Sequence, residues 1–318
     1  LERSGGSFLI RYYEHVFPVA PRSLVELLAR AARTAESPDL GFISSALDYL
    51  PLPTATDRPS TQRRHRDKEV VRQQLSRLLD EQPAVRRAVD EEVRRLNEDP
   101  DLMDGLLAEQ NYRLALWRIA RSDLGYRRFF DINNLVALRI EDDEVFRDTH
   151  RLILGWLSDG TLDGVRIDHP DGLRDPEQYF RRLREQAPDA WIVAEKILHR
   201  GERVPASWPI AGTTGYDFMT MTDGLFVKAE NETQFTDFYR YFTAEPTDYR
   251  EVLREKKYQV MNDLLGSDLN RLTELAAQVC LEHRRYRDYG RDELGHALAE
   301  IVACYPVYRT YVRAGLGE

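Results

Sequence analysis

The hydrophobic residues in the first part of the chain recur at helical spacing. Over residues 21–124, leucines and valines are separated by three or four positions, and charged residues fill the remaining faces. This period is typical of amphipathic helices that bury one face. The stripes are Val71, Leu75 and Leu78; Val85, Val89, Val93 and Leu96; and Leu106, Leu107, Leu114, Trp117 and Ile119. We therefore predict a mostly helical region with a proline-rich connection over 51–60, a helix break at Pro83 and the last helix over about 104–121.

The middle of the chain alternates between helical and strand patterns with short connections. A helix is predicted over 142–159, and the segment 162–168 that follows it has the composition of a strand. Asp175 and Pro176 are typical of the start of a second helix. The apolar run 191–194 is of the kind buried in a parallel sheet. This order predicts a parallel α/β fold, which a barrel or a doubly wound sheet would both satisfy.

The rest of the chain returns to helical periodicity. Residues 212–217 are the candidate for a third strand, and helices are expected from 230 to 317. We therefore divide the chain into a helical region over 1–125, an α/β region over 126–225 and a second helical region over 226–318.

Composition and charge narrow the classes of partner. Apolar residues make up 42% of the chain and charged residues 31%, and no apolar run approaches the roughly 18 residues of a membrane span. A net charge of −9 disfavours nucleic acid, and the basic run 63–66 is interleaved with acids as on a solvated helix face. Two cysteines argue against a disulfide scaffold or a cysteine-rich metal site. We expect a cytoplasmic protein without a metal, cofactor or membrane partner.

Two acidic residues stand where the predicted strands end. Asp168 closes the segment Gly164-Val165-Arg166-Ile167-Asp168, and Glu195 follows the apolar run 191–194. The carboxyl ends of neighbouring parallel strands meet at one edge of a sheet, so the two carboxylates should face one mouth. Glycoside cleavage with retention requires such a pair: one attacks the anomeric carbon, and the other protonates the leaving oxygen. Arg166 should point to the same side as Asp168 and hold it ionised.

Each of these residues also has a purely structural interpretation. An acid at a strand end is more often a turn former or a helix cap, and an Arg-x-Asp pair is equally often a structural ion pair. His169 and Asp171 would by default belong to a turn, and Lys196 would be a surface cation. The spacing alone leaves both interpretations open.

Longer motifs favour the catalytic interpretation. The segment 164–168 is similar to the fourth strand of α-amylase superfamily barrels, and Ala194-Glu195 to the acid-bearing end of the fifth. Five segments resemble, in order, the maltooligosyltrehalose synthase family of that superfamily: 126–133 (YRRFFDIN), 168–173 (DHPDGL), 194–198 (AEKIL), 208–217 (WPIAGTTGYD) and 305–311 (YPVYRTY). The resemblance implies about strands four to six of a (β/α)8 barrel, with large helical insertions before and after them.

The resemblance also implies a reaction on a maltooligosaccharide or other α-1,4-glucan. Enzymes of this family convert the reducing-end α-1,4 bond into an α,α-1,1 bond by intramolecular transglucosylation. Asp168 would be the nucleophile and Glu195 the general acid and base, in a pocket that excludes water. The sugar contacts that the resemblance implies are Arg166, His169, Asp171, Lys196, Tyr216 and Asp217, with the tyrosines of 305–311 as weaker candidates.

Two superfamily motifs are missing from the sequence. There is no Asp shortly before an Asn-His pair, and His150, His283 and His296 are not followed by the Asp of the third acid. Together with the missing initiator methionine, this indicates an internal fragment, which we expect to be inactive alone. Three alternatives stay open: an α-glucan hydrolase, a 4-α-glucanotransferase of the same superfamily, and a non-catalytic carbohydrate-binding relative.

Overall fold

The computed structural model describes residues 1–199, 201–246 and 248–313. The chain divides into two units, Leu1–Ala115 and Leu116–Glu318. The α/β region and the second helical region therefore lie in one unit, and the first division falls before residue 116 rather than at 125.

A three-stranded antiparallel sheet opens the first unit, within the region predicted to be helical. Its strands, in order, are β1 (Glu2–Ser4), β2 (Ser7–Tyr12) and β3 (His15–Pro18). Phe8 and Ile10 of β2 are buried and alternate with less buried neighbours, which is the period of a strand with one face on the core. Gly5, with φ 56°, forms the first turn. The region 1–125 is therefore not helical throughout.

Helices complete the first unit. They are α1 (Val25–Thr34), α2 (Pro38–Asp48), α3 (Arg58–Glu81), α4 (Pro83–Glu98) and α5 (Pro100–Ala108). α3 ends before Pro83, as predicted, because proline has no amide hydrogen to donate within a helix. The predicted stripes of α3 and α4 pack in one hydrophobic cluster, in which Val93 and Leu96 are only partly buried.

The predicted helix over 104–121 is wrong beyond its first turns, because α5 ends at Ala108. Nε2 of the Gln110 side chain donates to the carbonyl oxygen of Leu106 at 2.6 Å. In a continuing α-helix, that oxygen would accept from the backbone amide of residue 110. Oε1 of Gln110 accepts from the amide of Ala20 at 2.7 Å. The apolar residues beyond this point are exposed: Leu114, Trp117 and Ile119.

The strands of the second unit form a hairpin and a parallel sheet. The hairpin consists of β4 (Arg128–Phe129) and β5 (Ile132–Val136), and the sheet of β6 (Gly164–Ile167), β7 (Trp191–Ala194) and β8 (Gly212–Thr213), in that order. Ile167 is paired with Ala194, and Ala194 with Thr213. All three strands of the parallel sheet were predicted from the sequence.

One helix of the second unit precedes the parallel sheet in the chain, one lies between its first two strands, and the others follow it. They are α6 (Asp143–Ser158), α7 (Pro176–Gln186), α8 (Tyr216–Gly224), α9 (Glu232–Thr243), α10 (Tyr249–Asp263), α11 (Gly266–Glu282) and α12 (Arg291–Cys304). Asp175 caps α7 by accepting from the amide of Gln178 at 2.9 Å, as predicted. Residues 314–318, at the end of the predicted helical region, lie outside the described residues.

One hydrophobic cluster joins α6 and α7 to the sheet. It consists of Phe146, Tyr179, Phe180, Leu183, Ile192, Ala194 and Trp208. Along α6, Phe146 is buried whereas Trp156 is exposed. The α/β class is confirmed, and the assignment of these strands to part of a (β/α)8 barrel stays a prediction. None of the helices in the described ranges combines the length and apolar character that a bilayer crossing requires.

Gly164 should be required for the pairing that aligns the two candidate acids. A Cβ at Gly164 would clash with the carbonyl oxygen of Trp191, which is opposite it in β7. We expect Gly164→Ala to lower the free energy of unfolding by about 1–3 kcal/mol, the usual cost of overpacking, as measured by urea denaturation.

The matched control is Gly155→Ala in α6, where nothing lies within 4 Å of the new Cβ. It should be neutral or raise the free energy of unfolding by up to about 1 kcal/mol. Equal destabilisation by the two substitutions would contradict a specific steric role for Gly164.

Candidate active site

The two predicted acids lie at one edge of the parallel sheet. Asp168 directly follows β6 and Glu195 directly follows β7, and the last residues of these strands, Ile167 and Ala194, are paired. The amide of Glu195 also donates to the carbonyl of Ile167 at 2.8 Å. Parallel pairing in this register therefore brings both carboxylates to the same place, as the sequence predicted.

One guanidinium contacts both carboxylates. Nη1 of Arg166 is 2.5 Å from Oδ1 of Asp168, and Nη2 is 3.5 Å from Oε1 of Glu195. Arg166 and Asp168 are two positions apart in extended chain, so their side chains point to the same side. The contact with Asp168 was predicted, and the contact with Glu195 is an addition that the structure makes. The two acids therefore share one cation.

Arg166 sets the charge state of Asp168. Its hydrogen bond is the main cause that lowers the pKa of the Asp168 carboxyl; burial has the opposite effect, and the charge of Arg166 adds to the lowering. Burial is a weak influence, because the Asp168 side chain is 62% exposed. With a lowered pKa, Asp168 is ionised across the neutral range, which a nucleophilic carboxylate requires.

Glu195 is less exposed and is held by the backbone. Its side chain is 23% exposed, and its Oε2 accepts from the amide of His169 at 2.7 Å. His169 has the left-handed backbone conformation, with φ 44° and ψ 49°, which few residues other than glycine adopt. The turn that follows Asp168 therefore directs an amide at the second acid.

The ring of His169 lies in a group of aromatic side chains. Its centroid is 5.8 Å from that of Phe130, in a stacked arrangement, and 5.4 Å from that of Phe129, edge to face. The hydroxyl of Tyr308 is 3.2 Å from Nε2 of His169. Gly172 leaves room for the ring, because a Cβ there would come within 2.6 Å of Nδ1. Phe130 and Tyr308 are exposed, so this group offers aromatic surface next to Asp168.

Lys196 and Asp171 are buried rather than exposed at the mouth of the site. Their side chains are 1% and 8% exposed, and Nζ of Lys196 is 3.2 Å from Oδ2 of Asp171. Oε1 of Glu202 is 2.8 Å from the same Nζ, and the Tyr311 ring centroid is 5.7 Å from it. Both residues were predicted to contact sugar, and the alternative for Lys196 was a surface cation. The burial contradicts the surface cation, whereas the contact of these two residues with sugar stays a prediction.

The charges of this cluster compensate for its burial. Burial alone would lower the pKa of Lys196, but hydrogen bonds with Glu202 and Tyr311 and the charge of Asp171 raise it above its ordinary value. Burial acts to raise the pKa of Glu202, but the hydrogen bond from Lys196 leaves it lowered. Burial, followed by the hydrogen bond to Asp171, raises the pKa of Tyr311 to about 12. At neutral pH, Lys196 and Glu202 therefore carry their charges and Tyr311 is neutral.

The segment 305–311, the weaker candidate, is tied to the turn that follows Asp168. Nη1 of Arg309 donates to the carbonyls of Asp171 at 2.8 Å and Leu173 at 2.7 Å. The hydroxyl of Tyr311 donates to Oδ1 of Asp171 at 2.6 Å. This segment therefore supports the turn in addition to placing Tyr308 beside His169.

Tyr216 and Asp217 begin α8 directly after β8, at the same edge of the sheet as the acids. Asp217 accepts a hydrogen bond from the Thr213 hydroxyl at 2.7 Å, which is the main cause that lowers its pKa. Tyr216 lies near enough to Arg166 to contribute to the raised pKa of its guanidinium. The structure therefore brings both residues to the carboxylate edge, and their contact with sugar stays a prediction.

Sequence reasoning missed several side chains around the site. They are Phe129, Phe130, Glu202 and Arg309. The two phenylalanines and the arginine belong to the recognised motifs 126–133 and 305–311, so the motifs were the signal that could have identified them. Glu202 lies in an irregular stretch without a motif.

The described residues leave the carboxylate pair accessible to solvent. The side chains of Asp168 and Arg166 are 62% and 49% exposed, and the closed pocket that the resemblance implies stays a prediction. Within the described ranges, no group of three or more His, Cys, Asp or Glu side chains is arranged to hold a metal ion.

A carboxylate pair at the carboxyl ends of adjacent parallel strands is the arrangement of retaining glycoside-processing enzymes. Solved structures show the more particular resemblance. The maltooligosyltrehalose synthase of Arthrobacter ramosus is 40% identical, with a TM-score of 0.60 over 67% of this chain and 26% of that chain. The hypothetical maltooligosyl trehalose synthase of Sulfolobus tokodaii is 35% identical, with a TM-score of 0.55 over 67% and 26%.

A sequence relative has the same name. The putative maltooligosyl trehalose synthase of Mycobacterium tuberculosis is 39% identical over 176 residues, which are 55% of this chain and 23% of the relative. No family model matches the chain. The chain thus spans about a quarter of the length of these relatives. The predicted resemblance to maltooligosyltrehalose synthases is confirmed for the part that they share.

Removing the Arg166 cation should raise the pKa of Asp168 toward its ordinary value, because the hydrogen bond and the charge that lower it are lost. We expect Arg166→Met to move the Asp168 titration to higher pH, as followed by NMR of the isotope-labelled side-chain carboxyl. Arg151→Met, at an exposed position of α6, should leave it unchanged. An unaltered titration in the Arg166 variant would show that another group controls Asp168.

Proposed function

We propose that the protein containing this chain converts the reducing-end α-1,4 bond of a maltooligosaccharide into an α,α-1,1 bond. This intramolecular transfer is the reaction of a (1→4)-α-D-glucan 1-α-D-glucosylmutase, an isomerase of trehalose biosynthesis. Its support is the shared name of relatives that are 39% and 40% identical, together with the carboxylate pair. Because the chain spans about a quarter of those relatives, the proposal concerns the whole protein.

The observation that carries the proposal is the guanidinium of Arg166 between Asp168 and Glu195. We assign Asp168 as the nucleophile, and the hydrogen bond from Arg166 that lowers its pKa is consistent with an ionised carboxylate. Glu195 is then the acid and base. Its Oε2 accepts the amide hydrogen of His169, and its Oε1 lies 3.5 Å from Nη2 of Arg166, so both oxygens are held beside Asp168.

The first step breaks the terminal glycosidic bond. Asp168 attacks the anomeric carbon of the penultimate glucose, and the bond from that carbon to O4 of the terminal glucose breaks. Glu195 gives its proton to the departing O4. The products of this step are a covalent glucosyl ester on Asp168, an ionised Glu195 and a free terminal glucose.

The second step joins the same two sugars differently. The freed glucose turns so that its anomeric hydroxyl attacks the anomeric carbon of the enzyme-bound sugar. Glu195 takes the hydroxyl proton, the bond from that carbon to Asp168 breaks, and the Asp168 carboxylate leaves. Two inversions at the same carbon retain the α configuration. Atoms balance without water, because the product is an isomer of the substrate.

The proposal also covers the residues that contact sugar, the architecture of the whole protein and the cellular compartment in which it acts. His169, Tyr216 and Asp217 are proposed sugar contacts, since each lies at the edge of the sheet that carries the acids. β6, β7 and β8 are proposed as strands four to six of a (β/α)8 barrel. The cysteines Cys280 and Cys304 are free, which fits the reducing cytoplasm.

Hydrolysis is the second candidate function, because the same glucosyl ester could pass to water instead of to glucose. The two reactions differ in their products, because hydrolysis creates a reducing end and rearrangement removes one.

Full-length protein incubated with maltopentaose should give a non-reducing product of unchanged mass. We expect reducing ends to disappear without the release of glucose, as measured by a reducing-sugar assay and mass spectrometry. A rise in reducing ends would support the hydrolase instead.

Asp168→Asn and Glu195→Gln are the controls, because each removes one ionisable group and keeps its shape. Each should lower kcat by about 10³-fold or more, with maltopentaose binding retained. Full activity in both variants would favour a non-catalytic carbohydrate-binding role for the pair.

The 318-residue chain by itself should not turn over maltopentaose. Its sequence lacks the His-Asp pair that carries the third acid in the superfamily, and that acid is expected to bind and distort the reacting sugar. The check is the same reducing-end assay on the purified chain beside the full-length protein. Turnover by the chain alone would show that the third acid is dispensable.

A further inference from the structure

The buried cation Lys196 links the two loops that carry the candidate acids. Lys196 immediately follows Glu195, and Asp171 lies in the short 3-10 helix that begins two residues after Asp168. Their ion pair, 3.2 Å long, therefore connects the end of β6 to the end of β7 beyond the last paired residues of the sheet.

A second connection closes a ring of contacts. The amide of His169, between Asp168 and Asp171 in the chain, donates to Oε2 of Glu195 at 2.7 Å. The positions of the two acids are thus fixed relative to each other from two sides. One is the His169 amide, and the other is the pair of Lys196 with Asp171.

The cluster around Lys196 leaves its ammonium no capacity for a further ligand. Nζ is 3.2 Å from Asp171 and 2.8 Å from Glu202, and the Tyr311 ring lies beside it, with its centroid 5.7 Å away. Asp171 is held in addition by the Tyr311 hydroxyl on its carboxylate and by Arg309 on its carbonyl. With a side chain 1% exposed, Lys196 cannot reach a sugar without breaking these contacts.

We propose that Lys196, paired with Asp171, is a positioning residue that fixes the separation of Asp168 and Glu195 and does not contact the sugar. This inference rests on the proposed function, because it gives the residue a role in that reaction. The physical reason is that an enclosed ion pair with satisfied hydrogen bonds is poorly screened and costly to break. Loss of the cation would leave two carboxylates without their partner, and the turn that carries Asp171 would move.

The experiment compares Lys196→Met with Lys196→Arg in the full-length protein. Lys196→Met keeps the apolar stem and removes the charge, and we expect kcat to fall about 100-fold, the typical effect of a displacement near 1 Å at reacting groups. KM for maltopentaose should stay within about threefold, because no sugar contact is lost. Lys196→Arg should recover part of the loss. Lys256→Met, on an exposed part of α10, is the matched control and should behave as wild type.

Coupling to Asp171 gives a second test. Asp171→Asn should resemble Lys196→Met, and the double variant should be no worse than either one, because both remove the same contact. A rise in KM with unchanged kcat would show that Lys196 binds sugar directly, and wild-type kinetics with only a lowered Tm would show a merely structural role. Either result overturns the proposal.

Two further measurements separate the possible failures. If Lys196→Met does not fold, Tyr311→Phe removes only one hydroxyl of the cluster and should lower kcat in the same direction by a smaller factor. If the wild-type protein forms no rearranged product, the proposed function fails on its own. The crystal structure of Lys196→Met would then still test positioning, since an unchanged distance between the carboxyl groups of Asp168 and Glu195 overturns the inference.

Discussion

The parallel pairing of β6 with β7 is the constraint on which the site depends. Ile167 and Ala194 are opposite each other, so the next residue of each strand, Asp168 or Glu195, leaves the sheet at the same level. A shift of the register by one residue would turn one of the acids to the other face. The close approach of the Gly164 backbone to Trp191 helps to fix this register, because no larger residue fits there.

Two cations each contact two carboxylates, and the two groups differ in their exposure to solvent. Arg166 is 49% exposed and contacts the two candidate acids, whereas Lys196 is 1% exposed and contacts Asp171 and Glu202. Water screens the first set, so a substrate and a proton can exchange there. The second set is enclosed, and its attraction is less screened. The exposed set is suited to chemistry and the enclosed set to fixing the geometry.

Features with a local cause could be predicted from the sequence. Pro83 and Asp175 act on the backbone beside them, and the α/β order with both acids and Arg166 followed from strand patterns and motifs. Features that depend on residues far apart in the chain could not be predicted. α5 stops early because Gln110 bonds to Ala20, and Lys196 is buried because its three partners come from separate stretches of the chain. Motifs indicated that these residues matter, but not whether they touch a ligand or each other.

In the proposed rearrangement, holding the freed glucose matters more than excluding water. A group oriented next to a reacting centre has an effective concentration of about 10⁵ M or more, against about 55 M for water. A retained glucose would therefore compete about 10³-fold better than water even if water had free access. On this reasoning, product choice depends more on orienting the glucose than on sealing the site. The orientation of the glucose would then depend on well-fixed groups at the edge of the sheet. The turn from Asp168 to Gly172 is held in place, because hydrogen bonds connect His169, Asp171 and the adjacent Leu173 to residues distant in the chain.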